Sequence, residues 1–383
     1  MSAPIVVYLD SQDFSRFSPS HPDHWAYLGI KRELLELRQE GAARFVFSDI
    51  HVFENLPVSY KNRAPGLERI RTIAELCGED HLPSSTALVE HELRQLAGDD
   101  ALLWPEWYPY FDMKEPNRAE IEADLIAKMA TNRNQRRAIA RAFKGAPDVR
   151  LNQIWADGFL SEYPFLKGGK KVLTEYLARQ LGWHAVETLL RTGLRDIVGF
   201  SEWLAENWKH GRAFVGSLRD QNLYTQTTLI DLHSKMRALF ERASLSQGAA
   251  TQLIKATYDR QREQLLEDFA AKNSLKILGK EVHAPLTQEQ TPSLSVAMHF
   301  LMEVAFLSAL PKDPRNPKKH AGSDFADAMH VLFLPRVDIF RADQFSCSVL
   351  RKSALNGTTN LCPSLQDLPA LIRGEAKKRR EVA

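Results

Sequence analysis

The sequence predicts an α/β fold: a parallel sheet flanked by helices, built from two distant stretches of chain and interrupted by a long helical segment.

 Three observations carry this. Near the start of the chain, two short β-branched and aromatic runs, Ile5-Val6-Val7-Tyr8-Leu9 and Arg44-Phe45-Val46-Phe47, are separated by a helix-type segment, the order expected of parallel strands. The stretch 323–345, SDFADAMHVLFLPRVDIFRADQF, repeats the alternation far downstream. Between them helical periodicity dominates.

Taken in order, strand 5–9 delivers Asp10 and is followed by a polar loop, 11–23. Leu28, Ile30, Leu34, Leu35 and Leu37 give 25–40 one apolar helical face, with Gly41 as its stop. Strand 44–47 leads to Ser48, which starts a helix that carries Glu54 and ends at Pro57. Pro65 opens the next helix and Gly78 closes it; 84–96 is another. The aromatic, proline-broken stretch 102–111 (LLWPEWYPYF) reads as a loop. Helices are then expected at 119–131, 133–144, 169–191, 195–209, 222–244, 248–272 and 292–310. A basic loop, 311–321, leads into a helix opened by Asp324 and Asp327, a turn at Pro335, strand 337–340 with Asp343 beyond its tip, strand 358–362 and helix 365–373. The expected organisation is a discontinuous α/β domain, 1–60 with 311–375, a helical insertion, 61–310, and a disordered basic tail, 376–383.

The 383 residues are enough for two or more domains, and 44% apolar content is that of a protein with a real core. A net charge of +2 names no polyanionic partner, so any nucleic-acid argument must rest on local charge. Three cysteines offer neither a zinc spacing nor a disulfide framework and suit a reducing cytoplasm. The opening MSAPIVVYLD has no basic segment of the secretory type.

Carboxylates supply the candidate chemistry. Asp10 and Asp343 follow strands, Glu54 and Asp327 lie on helices that begin beside strand ends, and parallel sheets build their sites outside the C-terminal ends of strands. Clustered carboxylates repel unless a cation lies between them, and an all-oxygen set suits Mg²⁺ or Mn²⁺. Asp324 is three residues before Asp327 on the same helical face, though it also suits a helix N-cap. Asp13 and Asp49 are expected at the surface. His330 reads as a hydrogen-bonded structural histidine, and Glu303 in its apolar helix needs a partner, His299 or a buried arginine.

A second signal is basic. Lys128, Arg133, Arg136, Arg137, Arg141 and Lys144 fall in a stretch, 125–147, whose acidic residues are absent. Arg133, Arg137, Arg141 and Lys144 step along one helical face, a candidate phosphate-binding surface. The aromatic residues Trp104, Trp107, Tyr108, Tyr110 and Phe111 can pack internally or stack on exposed bases. Gly168-Gly169-Lys170 lacks the spacing of a phosphate-cradling loop, and neither a nucleophile elbow nor a zinc motif is present.

Four pieces together resemble the PIN-domain nuclease family: VVYLD ending at Asp10, FVFSDIHVFE from Phe45 to Glu54, DAMH from Asp327 to His330, and IFRADQF around Asp343. Their order and spacing match; Arg341 replaces the small hydroxyl residue often found before the last acid, and Gln12 replaces an asparagine. The resemblance implies a PIN-like sheet and a metal-dependent nuclease. Asp10, Glu54, Asp327 and Asp343, with Asp324, would hold Mg²⁺ or Mn²⁺, and water would cleave single-stranded RNA or other flexible nucleic acid. The arginine face, Arg133, Arg136, Arg137 and Arg141 with Lys144, would add affinity. The other reading is a non-catalytic scaffold of the same fold, whose insertion binds RNA or a protein partner; under either reading a homodimer or a regulatory protein partner is a candidate assembly.

Overall fold

The structure, a computed structural model, describes residues 3–56, 63–108, 126–127, 130, 132–143, 149–162, 165–166, 168–206, 247–309 and 323–382. Four parallel strands form one sheet in the order β2-β1-β3-β4: β1 (Ile5–Tyr8), β2 (Ala43–Val46), β3 (Ile339–Arg341) and β4 (Asn360–Cys362). Tyr8 pairs with Val46 on one side and with Phe340 on the other. The α/β class expected from the sequence is therefore present, with the sheet drawn from two segments more than 290 positions apart.

Residues directly opposite in a sheet point to the same face, so Tyr8, Val46 and Phe340 share one. All three belong to a core that also holds Leu88, Leu93, Leu266, Leu294, Phe300 and Leu301. Each such side chain stabilises the fold by about 1.5–3 kcal/mol on full burial. Helices α4 (Arg63–Cys77) and α5 (Ser85–Leu96), and the downstream helices Gln247–Leu278 and Pro292–Ala309, thus belong to the same compact unit as the sheet, 1–110 with 209–383. The second unit, 111–208, has its own small core of Ala156, Leu173 and Val186. The expected boundary of the insertion, 61–310, is drawn too wide: much of that segment completes the core beneath the sheet.

Between β1 and β2 lie α1 (Ser11–Phe17) and α2 (His24–Gln39). The first corrects the expected loop at 11–23. Asp10 caps it, and Phe14 and Phe17, three apart, are fully buried. Gly41, with φ +70°, ends α2 in a Schellman turn, Ala42 N–H donating to Leu37 O at 3.0 Å. The single helix expected at 169–191 is two, Gly169–Leu177 and Trp183–Arg195, parted where Arg179 takes φ +59°.

The expected disordered tail is likewise corrected. Leu368–Val382 is a helix because Leu368, Ile372 and Ala376, four apart, form a buried stripe. Arg379 donates to Pro4 O at 3.1 Å and pairs with Asp338, which ties this helix to the start of β1. Glu92, on α5, is wholly buried and accepts from Ser293 N at 2.9 Å and Leu294 N at 2.8 Å, capping Pro292–Ala309; burial pushes its carboxyl above the usual value, and these hydrogen bonds oppose the rise. Among the described residues no helix is long and apolar enough to cross a membrane, and Cys77, Cys347 and Cys362 are free and buried.

Candidate functional site

The chain leaves β1 through α1 and α2 toward β2 on one side, and leaves β3 through the helix Gln344–Lys352 toward β4 on the other. The crevice where the connections diverge lies beyond the C-terminal ends of β1 and β3, where open parallel sheets bind ligands. Asp10 and Asp343 stand at these two ends. Each is an N-cap: Asp10 Oδ1 accepts from Gln12 N at 2.8 Å, and Asp343 Oδ1 accepts from Ser346 N at 2.6 Å. The caps fix both carboxylates beside positive helix ends.

Asp327 comes from the helix Ser323–Val331, and Glu54 from α3 (Asp49–Asn55). Burial pushes the Asp327 carboxyl up to about 7, and the negative charges of Asp10, Asp343 and Glu54 add to the rise against the opposing pull of His330. The charges of the other three expected acids therefore all reach Asp327. Among the described residues no three His, Cys, Asp or Glu side chains stand close enough together to hold a metal ion in these rotamers. The donor set itself is all-oxygen and crowded with negative charge, which fits a hard divalent cation. The side chain of Asp324 lies outside the described residues.

The sequence reading missed how Glu54 is held. Glu54 Oε2 is 3.0 Å from His330 Nε2, and Ser11 Oγ is 3.2 Å from the same nitrogen. Burial works to raise Glu54, but the charge and hydrogen bond of His330, with a further bond from Ser11, bring it down to about 2. Burial works to lower His330, and Glu54 outweighs it, so the imidazole is held above its usual value. Behind His330, its Nδ1 lies 2.6 Å from Tyr8 Oη, and Tyr8 Oη lies 2.7 Å from Ser48 Oγ. His51 Nδ1 accepts from Ser48 N at 3.1 Å, which leaves Nε2–H to donate to Leu9 O at 2.8 Å. Burial, and then the charge of His330, push His51 down to about 3, so it is neutral. The available signal was Tyr8 itself: a buried tyrosine hydroxyl in a strand needs a partner.

Asp13 and Asp49 are corrections, since both are buried rather than at the surface. Asp13 Oδ1 meets Arg341 at 3.1 Å and Arg16 at 3.0 Å. Asp49 Oδ2 accepts from Ser85 N at 3.0 Å and Ser85 Oγ at 2.6 Å. Burial raises each to about 6. The Glu303 partner is Tyr258, whose hydroxyl donates to Oε1 at 3.2 Å. Trp107 and Tyr108 are buried, Trp107 against Phe47 and Phe53, so these two aromatic side chains pack internally. Tyr110, Phe111, Lys128, Lys144 and the loop 311–321 lie outside the described residues.

In the second unit, Arg133–Phe143 is a helix, and Arg133, Arg136, Arg137 and Arg141 are exposed on it. The chain matches no family model, no curated protein and no solved structure.

Proposed function

We propose that this chain is a metal-dependent nuclease of PIN type acting on single-stranded RNA or other flexible nucleic acid. The observation that carries the reading is that Asp10 and Asp343 stand at the ends of β1 and β3 and that their charges, with that of Glu54, all reach Asp327. Asp10, Asp327 and Asp343, with Glu54 and Asp324, would hold Mg²⁺ or Mn²⁺. Such a cation, when bound, lowers the pKa of a coordinated water and offsets charge gathering on a scissile phosphate. The chain's own part is to present fixed anions: the helix caps hold Asp10 and Asp343, and His330 and Ser11 hold Glu54. Asp327 must lose its proton to join them, so activity should rise with pH toward and through about 7. The exposed arginines of Arg133–Phe143 would contact substrate phosphates.

The scaffold reading is favoured by one observation, the engagement of Glu54 by His330, which compensates part of the acidic charge internally. One experiment separates the two. Purified protein is incubated with labelled single-stranded RNA and DNA in Mg²⁺ or Mn²⁺, with and without EDTA. The nuclease reading expects cleavage that EDTA abolishes and that Asp10→Asn and Asp327→Asn each lower by orders of magnitude. RNA that is bound but never cut supports the scaffold instead.

A further inference from the structure

We infer that Tyr8, Ser48 and His330 form a positioning clamp, a buried run of hydrogen bonds that fixes the Glu54 carboxylate at the rim of the acidic crevice. The run is continuous: Ser48 Oγ to Tyr8 Oη at 2.7 Å, Tyr8 Oη to His330 Nδ1 at 2.6 Å, and His330 Nε2 to Glu54 Oε2 at 3.0 Å. Tyr8 and Ser48 are wholly buried, and His330 nearly so. Each comes from a different element, β1, the start of α3 and the helix Ser323–Val331, so the clamp fixes three segments of the fold at one point.

The arrangement goes beyond packing. Tyr8 is already held by its ring, stacked on Phe333 at 5.5 Å and on Phe340 at 5.3 Å. Its hydroxyl serves a different purpose, since it fixes the rotation of the His330 ring about its own axis. With Nδ1 anchored on Tyr8, Nε2 can face only Glu54 and Ser11. The carboxylate accepts only, so Nε2 carries a hydrogen in either charge state of the ring. The rest of the run accommodates both. A neutral ring accepts from Tyr8, whose oxygen then accepts from Ser48; a charged ring donates to Tyr8, which donates to Ser48. The geometry of the clamp thus does not depend on the charge of His330. Groups that orient a functional carboxylate from behind typically cost about 10–100-fold when removed.

The catalytic consequence rests on the nuclease reading, whereas the clamp itself does not. Tyr8→Phe keeps the stacked ring and deletes the hydroxyl. Ser48→Ala removes the next link and serves as the second variant if the first folds poorly. Two quantities are read on the full chain. One is the position of the His330 ring resonances in protein labelled with ¹⁵N-histidine, with His184, which is exposed, as internal reference. The other is kcat and KM for RNA cleavage. The expected result is that each variant moves the His330 resonances and leaves those of His184 in place, while kcat falls about 10–100-fold at unchanged KM. Unmoved His330 resonances, or a kcat equal to wild type, overturn the clamp. If the wild-type protein cuts no nucleic acid, the nuclease reading fails and the resonances alone decide: movement in both variants sustains the clamp, and their staying in place overturns it.

Discussion

Arg341 Nη2 lies 3.1 Å from Asp13 Oδ1, and these two residues, 328 positions apart in sequence, are both buried. The guanidinium also donates to the neighbouring Ala342 carbonyl. The pair links the end of β3 to α1, close behind both helix caps of the crevice. Removing one member of a buried pair strands the other charge, at a cost of about 3–5 kcal/mol. Asp13→Ala should therefore lower unfolding free energy by about that amount in denaturant titration. Replacing both residues with apolar ones should cost less than the sum of the single changes. Additive single and double changes would show that the two do not interact.

Stability should depend on pH through Asp327. Its folded-state pKa, about 7, is above the value of about 3.9 for a free aspartate. The folded protein therefore binds this proton more tightly than the unfolded chain. The resulting stabilisation is full below about pH 4 and is lost as pH rises through about 7. In EDTA the melting temperature should fall over that range, and Asp327→Asn should flatten the fall. Added Mn²⁺ should raise the melting temperature more at pH 8 than at pH 5, because protons compete for the same oxygens. A Mn²⁺ effect independent of pH would count against Asp327 as a ligand.

The arginine face makes a salt-dependence prediction. Replacing Arg133, Arg137 and Arg141 together by Gln should weaken RNA binding across sequences alike and reduce the salt slope by about one unit per lost phosphate contact. If these arginines instead brace the second unit, the melting temperature drops and the slope stays.

Glu92 offers a test of the fold away from the crevice. Its carboxylate takes two backbone N–H groups at the start of Pro292–Ala309, with Arg336 4.0 Å away. Hydrogen bonds to a charged group contribute about 1.5–3 kcal/mol each. Glu92→Ala should destabilise the protein by at least that of one bond, and hydrogen exchange should quicken first at Ser293 and Leu294. Unchanged protection at both amides would remove the capping role.

The strands and the acids at their tips were legible because local signals decide them: β-branched runs, and a carboxylate where the run stops. Asp10 and Asp343 needed only that. The burial of Asp13 was hidden because its partner, Arg341, is distant in sequence, and a charged residue read alone defaults to solvent. Helix α1 was hidden because Phe14 and Phe17 are too few to display a period. The link from Tyr8 through His330 to Glu54 joins three segments, each of which gives an ordinary local reading. The breadth of the insertion was overestimated because helical periodicity shows which residues are apolar, not which neighbour they cover.

The pairing of Val7 with Ile339 and Tyr8 with Phe340 has a consequence for how the molecule is made. On the ribosome, β1 and β2 emerge early and can pair at once, but one flank of β1 has no neighbour until β3 has been synthesised. The intervening helices must condense while a strand edge stays open, a situation that favours slow folding and wrong partners. Asp10 and Glu54 wait through the same interval without Asp327 and Asp343. Whatever chemistry the crevice performs is therefore withheld from the nascent chain, and arises only when its two distant halves close on each other.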